Sequence, residues 1–320
     1  MIEVIEADGE YGTDSVAPAD LAAAERQLEI AGCRLNFVEA GDGETCFLLL
    51  HGMGGRWQHW LPTIAFLARR GRVIALDVPG FGSSDPLTGT ASPEAFADVA
   101  AELCRRRGAR RVVFLGHSMG GPIAAHFASR HRDVACAIVL VAGAVLQFSS
   151  LLGFRKVLHY ARRRPRATAA IYCEIATSVL PAPRLLRRLI ARVPLLRRAV
   201  LWPYLWRPQD VSPALATLLV DGAGAPGVLR TARAIGRSSP RAAMTYVTCP
   251  VLSIGARHDL IAPVADLEQF DSEFPEVRSV LIEGSGHMVM LERPTAFNDC
   301  LAGFLDTLPA ADAEARRAAG

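Results

Sequence analysis

The sequence has no apolar stretch long enough to cross a membrane. Its most apolar segment, residues 134–146, spans 13 residues, whereas a membrane-spanning helix needs about 20. The opening residues, MIEVIEADGEYGTDS, are acidic and lack the basic and apolar regions of a secretory signal. We therefore expect no membrane span and a cytoplasmic protein, and we leave peripheral contact with a membrane surface open.

Patterns typical of metal and nucleotide binding are also missing. The seven cysteines include no CxxC pair and no Cys/His cluster at metal-ligand spacing. Their odd number and their scatter indicate reduced, mostly buried thiols. The glycines of 51–55 precede no GK[ST], and no dinucleotide fingerprint occurs. We expect neither a metal nor a cofactor.

Lysine is nearly absent, since one lysine stands against 34 arginines, and this bias alone indicates no function. The distribution of charge is more informative. Residues 151–240 hold 16 basic and three acidic residues, a net charge of +13, so the rest of the chain carries −10 to reach the total of +3. No nucleic-acid-binding motif accompanies these basic residues, and we expect no nucleic-acid partner.

What the chain does contain is the alternation of an α/β protein. Residues 26–30 and 34–40 alternate around Ala31-Gly32 and predict an antiparallel hairpin. Later runs are nearly continuously apolar, as in a parallel sheet covered on both faces; they are 46–52, 72–78, 111–118, 135–143, 250–259 and 277–287. Helix-like segments separate the first four, and Ser92-Pro93 suits the start of one of them. The pattern predicts a mostly parallel sheet flanked by helices.

The succession of apolar runs predicted as strands stops after Gly143 and resumes near residue 250. The segment between is helical in character, with prolines that divide it into short helices. We predict a mobile N-terminal tail, a core in two parts, an arginine-rich helical cap inserted between those parts, and a C-terminal tail. The boundaries are 1–20 for the first tail, 21–146 and 241–308 for the core, 147–240 for the cap, and 309–320 for the second tail.

One serine stands between two glycines directly after an apolar run. Residues 114–122 read FLGHSMGGP. A strand that turns abruptly into a helix strains the residue at the turn and needs small neighbours, which Gly116 and Gly120 provide. Ser118 then stands above the carboxyl edge of the sheet, with the Met119 amide at a helix N-terminus. We predict that Ser118 is a nucleophile.

A serine nucleophile needs a general base, and the base needs an orienting acid. His287 follows the last predicted strand in a GSGH loop, and Asp259 ends the strand before it. The order Ser, Asp, His, with each residue at a strand end, favours a catalytic triad over an N-cap aspartate and a surface histidine. His258, beside the acid, is expected to point away.

The chemistry also needs donors for an oxyanion. The segment LLLHGMGG (48–55) ends a strand in a glycine-rich loop. Its backbone amide at Met53 is placed to join that of Met119 in holding a tetrahedral oxyanion.

Taken in order, these segments resemble the α/β-hydrolase fold family of the lidded type. The motifs are HGMGGRWQHW, DVPGFGSSD, GHSMGG, GARHDLIAP and GSGHMVMLERP, and they cover roughly 30–146 and 248–306. The resemblance implies an α/β-hydrolase fold, with a mostly parallel sheet flanked by helices and an inserted helical cap.

The resemblance also implies roles for the residues singled out above. Ser118 is the nucleophile, His287 the base and Asp259 the acid, and the amides of Met53 and Met119 form the oxyanion hole. These roles predict a serine hydrolase, esterase-like or lipase-like, that cleaves carboxylic esters with hydrophobic groups through an acyl-enzyme.

Other members of the fold give alternatives. Haloalkane dehalogenases and epoxide hydrolases resemble this layout but use aspartate where this chain has Ser118, and a serine cannot form their alkyl-ester intermediate. C–C bond hydrolases and cofactor-free haloperoxidase-like enzymes share the triad and stay open. A ligand-binding or non-hydrolytic member of the fold also stays open.

The predicted cap has an unusual charge pattern. Residues 184–207 interleave leucine pairs with arginine pairs, which gives a helix an apolar face and a cationic face. The arginines either shield a helix packed on the core, or attract an anionic membrane surface or an acidic carrier. Five aromatic residues are candidates for the pocket of a hydrophobic ester: Trp57, Trp60, Trp202, Tyr204 and Trp206.

Overall fold

A computed structural model describes residues 1–7, 25–143 and 154–309. In these residues the strands are β1 (Glu3–Ile5), β2 (Glu25–Ile30), β3 (Cys33–Ala40), β4 (Thr45–Leu50), β5 (Arg72–Leu76), β6 (Arg111–His117), β7 (Ala135–Val141), β8 (Val251–Ala256) and β9 (Arg278–Ile282). They form one sheet in the order β1-β9-β8-β7-β6-β4-β5-β3-β2. The β2/β3 and β3/β5 pairs are antiparallel and the other neighbours are parallel. The predicted hairpin and the mostly parallel sheet are confirmed.

Most α-helices of the described ranges fall between these strands, and the last two follow β9. They are α1 (Leu61–Leu67), α2 (Pro93–Arg106), α3 (Gly120–Arg130), α4 (Phe154–Arg163), α5 (Pro165–Val179), α6 (Arg184–Arg192), α7 (Pro194–Leu201), α8 (Pro213–Val220), α9 (Val228–Arg237), α10 (Pro240–Met244), α11 (Val264–Glu273), α12 (Val289–Glu292) and α13 (Pro294–Leu305). Short 3₁₀ helices cover Trp57–Trp60 and Pro208–Asp210. None of the helices in the described residues combines the length and the apolar character that crossing a membrane requires.

The central strands bury both of their faces. In β4, Leu48 and Leu50 join one hydrophobic cluster, whereas Phe47 and Leu49 join the cluster on the opposite face of the sheet. Side chains of a strand alternate between faces, so a strand covered on both sides must be apolar throughout. This double burial explains why the sequence shows continuous apolar runs there.

The start of α2 follows the local chemistry expected from the sequence. Ser92 is the N-cap, its hydroxyl accepts a hydrogen bond from the Ala95 amide at 3.1 Å, and Pro93 begins the helix. The missing N–H of proline leaves nothing unsatisfied at that position.

The described part of the segment between β7 and β8 consists of short helices joined by turns and loops, without a strand. Helices α4 to α10 occupy residues 154–244, and prolines stand at the first position of several, among them Pro165, Pro194 and Pro213. Proline breaks the preceding helix and suits the start of the next. The predicted first residue of the cap, 147, lies outside the described residues.

The N-terminus differs from the predicted tail at one point. Residues 3–5 form β1, an edge strand that pairs with β9, and Glu3 makes a 2.9 Å ion pair with Arg278. Three residues are too few to show a strand pattern, and the partner strand lies at the other end of the chain. Most of the remainder of the predicted tails, residues 8–20 and 310–320, lies outside the described residues.

Candidate active site

Ser118 occupies a strained turn between β6 and α3. Its φ is +50°, a left-handed conformation that is unfavourable for residues other than glycine. A Cβ on Gly116 would lie 2.2 Å from the Gly120 carbonyl oxygen, and one on Gly120 would lie 2.8 Å from the Leu50 carbonyl oxygen. Both glycines are therefore required by close backbone contacts, which hold the strand, the serine and the helix in this geometry.

His287 and Asp259 are joined by a buried hydrogen bond. The His287 Nδ1 to Asp259 Oδ2 distance is 2.8 Å, and neither side chain is more than 1% exposed. The other oxygen, Asp259 Oδ1, accepts hydrogen bonds from the amides of Ile261 and Ala262, both at 2.8 Å. Each carboxylate oxygen thus has a fixed partner, so the carboxylate orients the imidazole.

The pKa of His287 is raised above its ordinary value. Burial lowers this pKa, but the negative charge of Asp259 and its hydrogen bond outweigh burial, and Glu174 and Glu292 add to the effect. A neighbouring anion favours the protonated imidazole. The site is therefore suited to stabilise the imidazolium that forms when His287 accepts a proton.

Two atoms of the site lack a hydrogen-bond partner among the described residues. They are Ser118 Oγ and His287 Nε2, and both are buried. Hydrogen bonds between catalytic groups are often long in unliganded enzymes. The structure therefore joins Asp259 to His287 by a hydrogen bond and shows none between His287 and Ser118.

The loop after β4 is held in place by His51. Its Nε2 accepts a hydrogen bond from the Val78 amide at 3.0 Å, and its Nδ1 donates to the Gly52 carbonyl at 2.7 Å. Burial lowers the pKa of His51 and favours this neutral ring. Within the described residues, the amides of Met53 and Met119 donate no hydrogen bond, so both are free to bind an oxyanion.

The cap packs directly against this loop. A Cβ on Gly222 would lie 1.7 Å from the Gly54 carbonyl oxygen, and one on Gly54 would lie 2.4 Å from the Ser178 hydroxyl. Gly54 also has a φ of +65°. The position of the loop that carries Met53 therefore depends on α5 and on the turn after α8.

A cavity of about 260 Å³ lies between cap and core. Its wall includes Met53, His117 and His287 from the core and Tyr204 from the cap, and most of the remainder is aliphatic. Ser118 is not part of the wall and adjoins it through Gly52, since a Cβ on Gly52 would lie 3.0 Å from Ser118 Cβ. This volume is near the lower end of ligand pockets, about 300–1,000 Å³.

Of the five aromatic residues expected at the pocket, only Tyr204 lines this cavity. Trp57 and Trp60 are 1% and 0% exposed and belong to the core under the sheet. Trp202 packs in a small apolar cluster with Ile171 and Ile261. The expectation for these three residues was wrong, because the core fully buries Trp57 and Trp60, where large aromatic rings contribute most, and Trp202 packs on Ile171 and Ile261 instead.

Trp206 does not line the cavity either. Its ring stacks on His258 with the centroids 4.4 Å apart, and the Arg207 guanidinium lies 4.2 Å from the centroid of the Trp206 ring. His258 is thus engaged outside the cavity, in agreement with the expectation that it points away from the acid.

Three residues of the site went unrecognised in the sequence. His117 donates from Nε2 to the His287 carbonyl at 3.0 Å. Glu292 accepts hydrogen bonds from the amides of Gly286 and Trp206, at 2.7 and 2.9 Å, and so ties the His287 loop to the cap. Glu174 lies in the cavity wall. Only Glu174 had a visible signal, since it is the single acid in the otherwise uncharged stretch 167–183.

The cysteines take no part in the site. All seven are free and five are buried, which confirms the prediction of unpaired, mostly buried thiols. Among the residues that the structure describes, no cluster of three or more His, Cys, Asp and Glu is arranged to hold a metal ion.

Comparisons with known proteins extend these observations. A family model described as "alpha/beta hydrolase fold" matches residues 45–294. An uncharacterized protein of Mycobacterium tuberculosis is 28% identical over 291 residues, 88% of this chain and 81% of that protein. The (E)-2-((N-methylformamido)methylene)succinate hydrolase of Acinetobacter baylyi is 25% identical over 280 residues, 86% and 95% of the two chains. A thermophilic esterase from Thermogutta terrifontis has a TM-score of 0.66 at 23% identity, with 88% and 98% covered; this likeness shows the fold.

Proposed function

The chain belongs to the α/β-hydrolase fold family, and from this premise we propose that it is a serine hydrolase that cleaves carboxylic esters with hydrophobic groups. The observation that carries the proposal is the buried 2.8 Å hydrogen bond between His287 and Asp259, beside the strained turn of Ser118. The mostly aliphatic wall of the adjoining cavity supports a hydrophobic substrate.

The proposed reaction begins with attack by the serine. Ser118 Oγ forms a bond to the ester carbonyl carbon while its proton passes to His287 Nε2. The carbonyl oxygen becomes an oxyanion that the amides of Met53 and Met119 hold. The C–O bond to the alcohol then breaks, the proton on His287 goes to the leaving oxygen, and the acyl group stays on Ser118.

Water completes the cycle. His287 Nε2 takes a proton from a water molecule, whose oxygen attacks the acyl carbon. Collapse of the second oxyanion breaks the bond to Ser118 Oγ, and the serine regains its proton from His287. The products are one carboxylic acid and one alcohol. This scheme requires Ser118 Oγ and His287 Nε2 to come within hydrogen-bond distance when substrate binds.

The decisive experiment is labelling and turnover with the serine removed. We expect a fluorophosphonate probe to label the wild type, and Ser118→Ala to abolish both labelling and hydrolysis of a p-nitrophenyl ester, with a loss of about 10⁶ in kcat. Unchanged thermal unfolding would show that the fold survives. Activity within tenfold of the wild type would refute the assignment. If the protein hydrolysed a C–C bond substrate but no ester, this result would favour the alternative of a C–C bond hydrolase.

The cap offers a surface for delivering such a substrate. Leu185, Leu189 and Val193 stand at i, i+4 and i+8 along α6 and its end, and are 69%, 44% and 37% exposed. Leu180 and Leu186 are exposed as well and also line the cavity. An exposed apolar patch of this kind marks a contact site, and through Leu180 and Leu186 it reaches the cavity wall.

Arginines accompany the apolar row. Arg184, Arg188 and Arg192 are exposed and follow the same four-residue spacing on α6. By contrast, Arg197 is 6% exposed and donates to the Ala191 carbonyl at 2.7 Å, and Arg187 pairs with Asp221. The last two arginines belong to the packing of the cap, whereas Arg184, Arg188 and Arg192 offer their charge to a partner, as does the exposed Arg198 on α7.

We therefore propose that α6 docks on an anionic membrane surface, with the leucines at the acyl boundary and the arginines at the headgroups. The double variant Arg188→Gln/Arg192→Gln should lower hydrolysis on anionic vesicles and leave a short soluble ester nearly unaffected. Arg69→Gln/Arg110→Gln, an equal charge change on the core, is the matched control. Equal activity of both variants on vesicles would contradict membrane docking, and loss of activity only with an acidic carrier would identify that partner instead.

A further inference from the structure

A carboxyl group of the cap lies in the wall of the catalytic cavity. Helix α5 brings Glu174, Thr177 and Ser178 to this wall, because residues three and four apart share one helix face. Glu174 is 3% exposed. It faces the same cavity as His287, so a ligand that fills the cavity meets both side chains.

The carboxyl of Glu174 receives no hydrogen bond from any residue that the structure describes. The neighbouring hydroxyls are already engaged, since those of Thr177 and Tyr204 bond to each other at 2.7 Å and to the Glu174 backbone carbonyl. Burial raises the pKa of Glu174 to about 7. The charge of His287 lowers this pKa, and the charge of Asp259 raises it. A buried polar group without a partner is unfavourable, and a substrate that supplies a donor removes this penalty.

We propose that Glu174 is a specificity-determining residue that binds a hydrogen-bond donor of the substrate, a hydroxyl or an ammonium group, and disfavours substrates that carry a carboxylate. This inference rests on the proposed serine hydrolase function. It predicts a substrate that is apolar except for one donor group, which matches a cavity that is aliphatic except for a few polar positions.

The charge of Glu174 makes the preference depend on pH. Above pH 7 the carboxylate attracts an ammonium group and repels a carboxylate group, and below pH 7 the neutral acid does neither. A hydroxyl is accepted in both states, because a carboxyl oxygen accepts a hydrogen bond whether or not the group is ionised.

Other titratable groups lie around Glu174. His287, His117, His59 and Tyr204 line the same cavity, whereas Asp259 and Cys173 lie outside its wall and interact with Glu174 through charge. Burial lowers the pKa of His117, and that of His59 to about 3, and raises the pKa of Cys173 and Tyr204. The pKa of His287 is raised, but only enzyme with neutral His287 reacts, so its titration cancels in a ratio of two substrates.

The test compares matched esters on one enzyme. The substrates are p-nitrophenyl hexanoate and its analogues with a terminal hydroxyl, ammonium or carboxylate group. The same four esters with a four-carbon acyl chain are also measured, so that the length of the chain does not decide the outcome. A group with a pKa of about 7 passes from about one tenth to about nine tenths ionised between pH 6 and pH 8. The ratio of kcat/KM for the ammonium ester to that for the plain ester should rise up to about tenfold over this range, and the carboxylate ratio should fall.

Two variants separate Glu174 from a general effect of buried acids. Glu174→Gln should remove both pH trends. Glu292 is also fully buried with a pKa raised to about 7 by burial, but it binds two backbone amides outside the cavity wall. Glu292→Gln should therefore keep both trends, whatever it does to the overall rate.

The outcomes are distinct. The proposal for Glu174 is overturned if the kcat/KM ratios of the wild type do not change with pH, or if their pH trends persist in Glu174→Gln. Neither result affects Ser118-dependent hydrolysis. Hydrolysis of the plain ester that survives Ser118→Ala overturns the proposed function instead. Calorimetric binding of hexylammonium needs no turnover, and it should be tighter at pH 8 than at pH 6 in the wild type; equal binding at the two pH values counts against the proposal. If Glu174→Gln does not fold, the pH dependence of the kcat/KM ratios in the wild type decides whether the proposal stands.

Discussion

Asp259→Asn should inactivate the enzyme by reversing the hydrogen bond to His287. In the wild type, Asp259 Oδ1 accepts from the amides of Ile261 and Ala262, and Oδ2 accepts from His287 Nδ1. Asparagine has one oxygen and one NH₂ group. The two backbone donors require its oxygen at the Oδ1 position, so the NH₂ group must face His287.

The consequence is the wrong tautomer of the base. Facing an NH₂ donor, Nδ1 must accept, so the proton moves to Nε2 and His287 no longer accepts a proton from Ser118. Flipping the amide would leave two buried amides unsatisfied, at about 1–3 kcal/mol each. We therefore expect a loss of about 10⁴ in kcat, as the same change causes in a serine protease triad, or about 5.5 kcal/mol of barrier.

The assay is steady-state hydrolysis of a short p-nitrophenyl ester at pH 8, with thermal unfolding to show that the variant folds. His258→Ala is the control, because His258 is adjacent in sequence and stacks on Trp206 outside the cavity; it should stay within a few-fold of the wild type. The reasoning is refuted if Asp259→Asn retains more than a tenth of the activity, or if His258→Ala loses more.

Two further predictions concern the base and the loop. For a plain neutral ester, kcat/KM should rise with pH through an apparent pKa above 6.5, because the anion of Asp259 raises the pKa of His287 and only the neutral imidazole accepts a proton; a pH–rate profile centred below 6.5 would contradict this. Gly222→Ala places a Cβ against the Gly54 carbonyl oxygen and should displace the loop that carries Met53, lowering kcat by about 10². Gly89→Ala, where a Cβ meets nothing within 4 Å, should leave kcat unchanged, and equal kcat in both alanine variants would show that the loop position is irrelevant.

The core of the fold was predictable because its signals are local. The apolar run 46–52 spans β4 of the structure, and Ser92-Pro93 begins α2 as expected. Each of these features depends on a few neighbouring residues, through side-chain alternation or capping. The turn at Ser118 is of the same kind, since it requires small residues on both sides of one position.

Features that depend on distant partners were not predictable. Strand β1 exists only because β9, some 275 residues later, offers an edge for pairing. Trp57 and Trp60 looked like pocket residues, but the packing of the core buries them. Burial of Arg197 likewise depends on carbonyl groups of Ala191 and Gln209 that the folded cap brings around it.

The sequence by itself determined the central strands of the sheet, the strained serine turn and the order of the residues proposed as a triad. These features depend on apolar periodicity and glycine placement, which are properties of short segments. Only the tertiary structure decided which polar groups meet in the cavity. A lone acid such as Glu174 on an apolar helix has no sequence signature that tells a surface position from a cavity wall. Its burial, the absence of a hydrogen-bond donor to it among the described residues and its interaction with His287 follow from how the cap packs on the core, which depends on many weak contacts between residues far apart in the chain.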